Sequence, residues 1–243
     1  MSEYWDIHNH ILPGVDDGSS CMRETMTLLQ NEYEQGIRHL IVTPHYRRGM
    51  FEIRFKDIQD VYEKTCSYCK EKFPSMHLYL GRECFVSSVK TAEKFVTDSR
   101  YHMAGRPVVL LEFGYETDFS EILQTVLLAQ TAQVVPVLAH IERYAALQDV
   151  KAVLRIKEAG ARIQINCESI LGKTGFRTRH FCAKLLKAGL VDLIASDAHN
   201  TDKRQVHMRE SMELVEKKYG SEEVERIFSY NPGLLFYIEE KGA

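Results

Sequence analysis

Seven short runs rich in valine, isoleucine and leucine punctuate the chain, and a stretch of helical spacing follows nearly every one. The runs predict strands at 5–8, 39–43, 78–81, 108–112, 134–139, 162–166 and 193–196. They are continuously apolar rather than alternating, as strands buried on both faces of a parallel sheet are. Between them the spacing predicts helices over 24–36, 54–73, 87–98, 120–131, 150–159, 178–188 and 203–218, with Gly36 closing the first. Strand-helix alternation on this scale predicts an α/β fold whose parallel strands are joined by crossover helices. Closed on itself, the sheet would be a distorted, seven-stranded TIM-like (β/α)7 barrel. A doubly wound open sheet is the rival, but it would gather ligands at one switch-point crevice. Here six of the seven runs lead into a His, Asp or Glu, which favours the barrel. A final apolar segment at 231–238, after Asn231-Pro232-Gly233, is expected to turn and pack against the barrel bottom. No Pro-, Gly- or Ser-rich linker and no repeat interrupts the pattern, so residues 1–243 are expected to form a single domain.

Composition narrows the function classes. Across 243 residues the hydrophobic fraction is 44% and the charged fraction 27%, ordinary for a soluble globular chain. A net charge of −3 supplies no broad basic field, so no nucleic-acid partner is expected. There is no signal-peptide pattern, and apolar runs such as 108–111 are far too short to span a bilayer. No membrane insertion and a cytoplasmic location are therefore expected, with the six cysteines carried as free thiols. Cys66 and Cys69 form a CxxC pair without a second pair or a nearby His, so their spacing reads as chance on a helix.

The strand ends carry the candidate chemistry. His8 and His10 stand two apart, so both side chains leave one face of the first strand and can reach one metal. Asp16 and Asp17 follow in a Pro-Gly-Val loop, where a plain turn at Asp17-Gly18 is the alternative reading. His45 follows Thr43-Pro44, Glu83 and Glu112 end apolar runs, His140 ends 135–139, and Asp197 with His199 ends 193–196. A carboxylate at the end of an apolar run is costly unless paired or metal-bound. Imidazoles and carboxylates collected at one end of consecutive strands are the ingredients of a multinuclear metal site. Arg143 and Arg204 follow the last His ligands at short distance, and a guanidinium fork suits phosphate oxygens. Arg47 and Arg48 follow His45 and are candidates for drawing in an acidic peptide.

These residues match a family. DIHNHILPGVDDG, GIRHLIVTPH, the GRE and LLEFG segments, VLAHIERY, QINCESILG and LIASDAHN cover nearly the full length. Through them the chain resembles the PHP (polymerase and histidinol phosphatase) superfamily and, within it, the bacterial capsule-type protein-tyrosine phosphatases of the CpsB/YwqE kind. The resemblance implies the PHP version of the seven-stranded barrel and three divalent metal ions, manganese in the active form, with iron, magnesium or zinc as alternatives. Carried over position by position, it implies His8, His10, Asp17, His45, Glu83, Glu112, His140, Asp197 and His199 as ligands. Asp17, His45 and His199 would hold the third ion; the rest would hold the other two, with Glu83 or Glu112 shared. Arg143 and Arg204 would grip the phosphate. The implied substrate is a phosphotyrosine protein, the tyrosine-rich tail of a bacterial tyrosine kinase that controls capsule or exopolysaccharide synthesis.

The expected reaction is hydrolysis of the phosphotyrosine monoester by hydroxide generated on clustered cations. Tyrosinate leaves readily because its conjugate acid has a pKa of about 10. The alternatives are a PHP phosphatase or phosphodiesterase for a small metabolite such as histidinol phosphate, and a metal-stabilised binding module without turnover. Cysteine catalysis of the usual tyrosine-phosphatase kind needs an Arg six places after the Cys. Those places hold Thr27, Lys72, Ser75, Lys90, Lys173 and Ala188. A thiolate mechanism of that kind is excluded.

Overall fold

A computed structural model describes residues 3–236. Each predicted run overlaps a strand: β1 (Tyr4–Asp6), β2 (Ile37–Val42), β4 (His77–Leu80), β6 (Val108–Phe113), β7 (Val135–Leu138), β8 (Arg162–Asn166) and β9 (Leu193–Ala195). Two short strands were not predicted, β3 (His45–Tyr46) and β5 (Glu83–Val86), so nine strands rather than seven stand among the described residues. The reason is local. Pro44 has no amide proton for the ladder, and Gly81-Arg82 breaks the third run, so both runs stop and resume. The strands form ladders ordered β1-β2-β4 and β3-β5-β6-β7-β8-β9. Every named pairing is parallel.

The parallel sheet curls until its first and last strands lead into neighbouring segments. Asn9 forms a parallel bridge with Ala198. The Asp197 amide donates to the His8 carbonyl and the His10 amide to the Ala198 carbonyl, both at 2.8 Å. Inside the curl a small core holds Trp5, Val108, Leu110, Val137, Ala139, Leu193 and Ala195. The larger core lies outside, where Leu111, Leu138 and Ile163 of the sheet meet Leu28, Phe95, Val126, Ile156 and Leu185 of the helices. Apolar side chains on both faces explain why the runs are continuous.

The crossover helices are α1 (Met22–Glu34), α2 (Phe55–Lys72), α3 (Val89–Thr97), α4 (Phe119–Thr131), α5 (Val150–Glu158), α6 (Cys167–Leu171) and α7 (Phe176–Lys187), followed by α8 (Met208–Tyr219), α9 (Ser221–Glu225) and α10 (Asn231–Phe236). α8 starts five residues later than predicted at 203. Asn200 Oδ1 accepts the amides of Asp202, Lys203 and Arg204 at 3.1, 2.8 and 3.1 Å, so its side chain competes with helix there. The same turn folds Arg204 back toward Asp197. In the terminal segment Phe236 is buried against Trp5, with ring centroids 5.9 Å apart, in a helix rather than the expected turn. Tyr237 and Ile238 lie outside the described residues. No helix among the described residues is long and apolar enough to cross a membrane.

Candidate metal centre

Strand periodicity delivers some of the predicted side chains directly. On β6, Val108 and Leu110 face the inner core, and Glu112 is next in that phase; on β9, Leu193 and Ala195 lead in the same way to Asp197. His140 is out of phase with Ala139. Its φ of 31°, and that of 50° at Asp197, lie in the left-handed region that non-glycine residues avoid. Strain of about 1–3 kcal/mol per such residue persists where the surroundings over-determine it, as at functional sites.

All nine predicted groups converge, with Glu83 at the hub. Its Oε1 lies 3.3 Å from His8 Nε2 and 2.9 Å from His140 Nε2. Its Oε2 lies 3.2 Å from His10 Nε2 and 2.9 Å from His45 Nδ1. Asp197 Oδ1 stands 3.6 and 3.5 Å from the Nε2 atoms of His8 and His10. Asp17 Oδ1 is 3.4 Å from His45 Nε2 and 3.6 Å from His199 Nε2. Four overlapping sets have ligand atoms mutually within 4.8 Å: His10 with Asp17, His45 and His199; His8 with Glu83 and His140; His8 with His10 and Asp197; His45 with Glu83 and Glu112. Glu83 belongs to two of them and Glu112 to one, which makes Glu83 the better shared carboxylate. Two donors each about 2.1 Å from one ion, at angles near 90–110°, stand about 3.0–3.4 Å apart. Three of the eight spacings fall inside that range, and the other five lie within 0.2 Å of it.

The donor set passes a second test. Among the described residues, Glu83 Oε2, His45 Nδ1, Asp197 Oδ1 and His199 Nε2 are buried without a hydrogen-bond partner. Unsatisfied buried polar atoms are rare because each loses its hydration without replacement. Four in one cluster are explained by divalent cations that they would ligate.

A second layer holds the donors, and the sequence reading missed most of it. Asp16 Oδ2 meets His10 Nδ1 at 2.7 Å and accepts the His45 amide at 2.9 Å, while its Oδ1 accepts the Gly18 amide at 3.0 Å. Its neighbour Asp17, not Asp16, reaches the cluster. Gln164 Oε1 lies 3.1 Å from His8 Nδ1 and accepts the His140 amide at 2.8 Å. Carboxylate and amide partners of this kind fix the tautomer and ring orientation of metal-binding imidazoles. Asp6 accepts the Ser196 hydroxyl at 2.6 Å and amide at 3.0 Å, tying β1 to the end of β9. Gly18 is no plain turn residue: a Cβ there would fall 2.0 Å from the His10 carbonyl oxygen. Only glycine lets the Asp16-Asp17 loop lie on the His8–His10 segment.

The electrostatics divide the histidines. Burial disfavours a charged His8 and His45, but Glu83 outweighs it, aided by Asp197 at His8 and Asp16 at His45, and raises both pKa values to about 9. Burial lowers His140 and His199 to about 4, helped by Arg143 and His10 respectively. Burial, then the nearby Glu83 anion, raises Glu112 to about 7. Despite burial, the surrounding imidazoles keep Glu83 well below the carboxylate range, and His8 with Arg143 does so for Asp197. At pH 7, then, His140 and His199 are already neutral donors, whereas His8 and His45 carry protons that a metal must displace. Adding Mn2+ at pH 7 should release about two protons from these imidazoles plus a fraction from Glu112, and affinity should rise with pH up to about 9. A weakly buffered indicator titration measures this. Loading without proton release would show that these imidazoles are already neutral at pH 7.

Arg143 and Arg204 both reach Asp197. Their Nη2 atoms lie 2.9 and 2.8 Å from Asp197 Oδ2, which also accepts from Asn166 Nδ2 at 2.7 Å. Three donors on Oδ2 turn Oδ1 toward His8 and His10. Arg143 also lines a cavity of about 570 Å3 with Glu112, His140, Phe113, Tyr115, Glu142 and Thr178. Arg47 and Arg48 part company: the Arg47 guanidinium stacks 4.1 Å from the Phe85 ring centroid, whereas Arg48 lines a different cavity.

A curled parallel sheet with clustered histidines and carboxylates beyond its strand ends defines a metal-dependent hydrolase of the TIM-like class. The chain belongs to the CpsB/CapC family of capsular polysaccharide synthesis, whose model matches residues 4–237. It is 31% identical over 239 residues to the tyrosine-protein phosphatase CpsB of Streptococcus pneumoniae, covering 93% of this chain and 96% of that one. A crystal structure from work on YwqE of Bacillus subtilis and CpsB of Streptococcus pneumoniae, described as unique metal-dependent tyrosine phosphatases, superposes with a TM-score of 0.87. It shares 27% identity over 96% of this chain and 94% of that one. The β-aspartyl dipeptidase of Fervidobacterium islandicum shares the fold alone, with a TM-score of 0.70, 14% identity, and coverage of 98% of this chain and 73% of that one.

Proposed function

We propose that this protein is a metal-dependent protein-tyrosine phosphatase acting in capsule or exopolysaccharide synthesis. The observation that carries it is the convergence of nine donors around Glu83 beside the Arg143 cavity, in a chain related to tyrosine phosphatases. In this reading residues 1–243 form one domain, and the nine strands count as seven because β2 with β3 and β4 with β5 are interrupted single strands. Three ions, manganese in the active form, are held by His8, His10, Asp17, His45, Glu83, Glu112, His140, Asp197 and His199.

Divalent ions bound there supply Lewis acidity and a nucleophilic water near neutral pH. The protein's own groups do the rest. Glu83 and Asp197 keep the donors within one cluster, and Arg143 and Arg204 bind phosphate oxygens and neutralise their charge. The cavity bounded by Phe113 and Tyr115 seats the aromatic ring. Tyrosinate, with a parent pKa of about 10, leaves without strong demand for a general acid. The substrate is the exposed, tyrosine-rich tail of a bacterial tyrosine kinase in the cytoplasm, since an extended tail reaches a recessed site that a folded surface does not.

Hydrolysis of phosphotyrosine peptide, phosphoserine peptide and histidinol phosphate should be compared after exhaustive chelation, Mn2+ restoration and thiol alkylation. Activity selective for phosphotyrosine, lost on chelation and indifferent to alkylation, is expected. Preference for histidinol phosphate would favour a metabolite phosphatase. Activity that survives chelation and dies with alkylation would refute the metal mechanism.

A further inference from the structure

β3 has two faces with different occupants. His45 turns inward to Glu83, 2.9 Å from Nδ1 to Oε2. Tyr46 turns outward, its ring against Phe95 and Tyr101 with centroids 5.6 and 5.0 Å away. On that outer side lies a cavity of about 580 Å3, separate from the one beside Arg143 and lined by Tyr46, Arg48, Lys90, Lys94, Glu52 and Thr91 among others.

The charge of this cavity is only partly compensated. Among the described residues, no carboxylate forms an ion pair with Arg48, Lys90 or Lys94, while Arg54 and Arg100 pair with Asp57 and Asp98. Lys94 Nζ donates to the Tyr46 hydroxyl at 2.8 Å and lies 4.5 Å from that ring's centroid. Arg82 stands 5.4 Å from the same ring, is only 3% exposed, and has an Nε without a hydrogen-bond partner. A buried guanidinium under the wall adds positive potential that water does not screen. Three lining cations and one carboxylate, Glu52, leave a net charge of +2. Glu52 is also engaged, its Oε2 accepting the Gly49 amide at 2.9 Å.

We propose that this cavity is a second anion site, which holds a second phosphate on the same peptide whose phosphotyrosine occupies the metal centre. It rests on the phosphatase reading for the first phosphate and goes beyond it for the second. A phosphate of about −1.5 to −2 charge matches the cavity's net charge, whereas one carboxylate leaves a cation unpaired. His45 and Tyr46 are consecutive, with Cα atoms about 3.8 Å apart, so the two sites flank one strand end. A peptide crossing that end with one phosphotyrosine inside brings a neighbouring residue over the cavity. The enzyme would therefore favour a multiply phosphorylated segment over an isolated phosphotyrosine.

The double variant Lys90→Ala/Lys94→Ala removes two exposed side chains outside the metal cluster. Wild-type enzyme with Mn2+ should show a KM about tenfold lower for a peptide with two nearby phosphotyrosines than for its singly phosphorylated counterpart. The variant should lose that preference while hydrolysing p-nitrophenyl phosphate within about twofold of wild type, as for removal of rim charges away from the reacting group. Anisotropy with fluorescein-labelled, non-hydrolysable phosphonate versions of both peptides reads the site without turnover. If no phosphate ester were hydrolysed, the phosphatase reading would fail and the binding ratio would still decide the cavity. Equal wild-type affinity for the two peptides, or equal losses on both in the variant, would overturn the proposal.

Discussion

Replacing Glu83 with glutamine is expected to lower phosphotyrosine hydrolysis by about a thousandfold or more, equivalent to about 4 kcal/mol of barrier, while leaving the folded shape unchanged. Glutamine keeps the volume but removes the anion that four imidazoles, His8, His10, His45 and His140, approach within 3.3 Å. With that charge gone, the four imidazoles lose the anion they share, and the cluster would bind divalent cations more weakly. Metal content by elemental analysis should fall with activity, and the far-ultraviolet circular dichroism should match wild type. A Glu83→Gln enzyme with full metal content and undiminished turnover would remove Glu83 from the centre.

The second large effect is expected at Arg143. Arg143→Lys should reduce kcat/KM for a phosphotyrosine peptide by about a hundredfold to a thousandfold, the range for loss of one preorganised donor at developing charge. Lysine keeps the positive charge but lacks the planar fork, so it is not an equivalent partner for both Asp197 and a phosphate. Arg143 is the better candidate of the two arginines because its side chain is 41% exposed and lines the cavity beside His140 and Glu112. Arg204 also holds Asp197 Oδ2 but is not among that cavity's lining residues, so Arg204→Lys should have the smaller effect. Steady-state kinetics on the two variants measure the difference. An Arg143→Lys enzyme within threefold of wild type would assign phosphate binding elsewhere.

These effects concern residues that were legible before the fold was known, but legibility was uneven. His8, His10, Asp197 and His199 stood out because close spacing at the end of an apolar run is a local feature. Asp16 was visible as a carboxylate, yet nothing local distinguished its role from that of Asp17. The structure separates them: Asp16 holds His10 and the His45 amide, and Asp17 reaches His45 and His199. Gln164 and Asn166 carried no signal, since their partners His8, His140 and Asp197 lie elsewhere in the chain. Gly18 resembled an ordinary turn because its constraint is a close approach to His10, invisible in the sequence.

By itself the sequence determined the succession of buried parallel strands and crossover helices, the donor types at the strand ends, and the absence of a Cys-x5-Arg nucleophile. Periodicity and residue chemistry are local properties, readable along the chain. Only tertiary structure decided that Glu83 is the hub, that His140 enters the cluster through a left-handed backbone, and that both arginines fasten Asp197. Those outcomes depend on contacts such as Asp6 to Ser196, 190 residues apart. Such a contact forms because curling the sheet buries apolar side chains on both faces and brings its first and last strands together, a balance over the whole molecule that no short segment encodes.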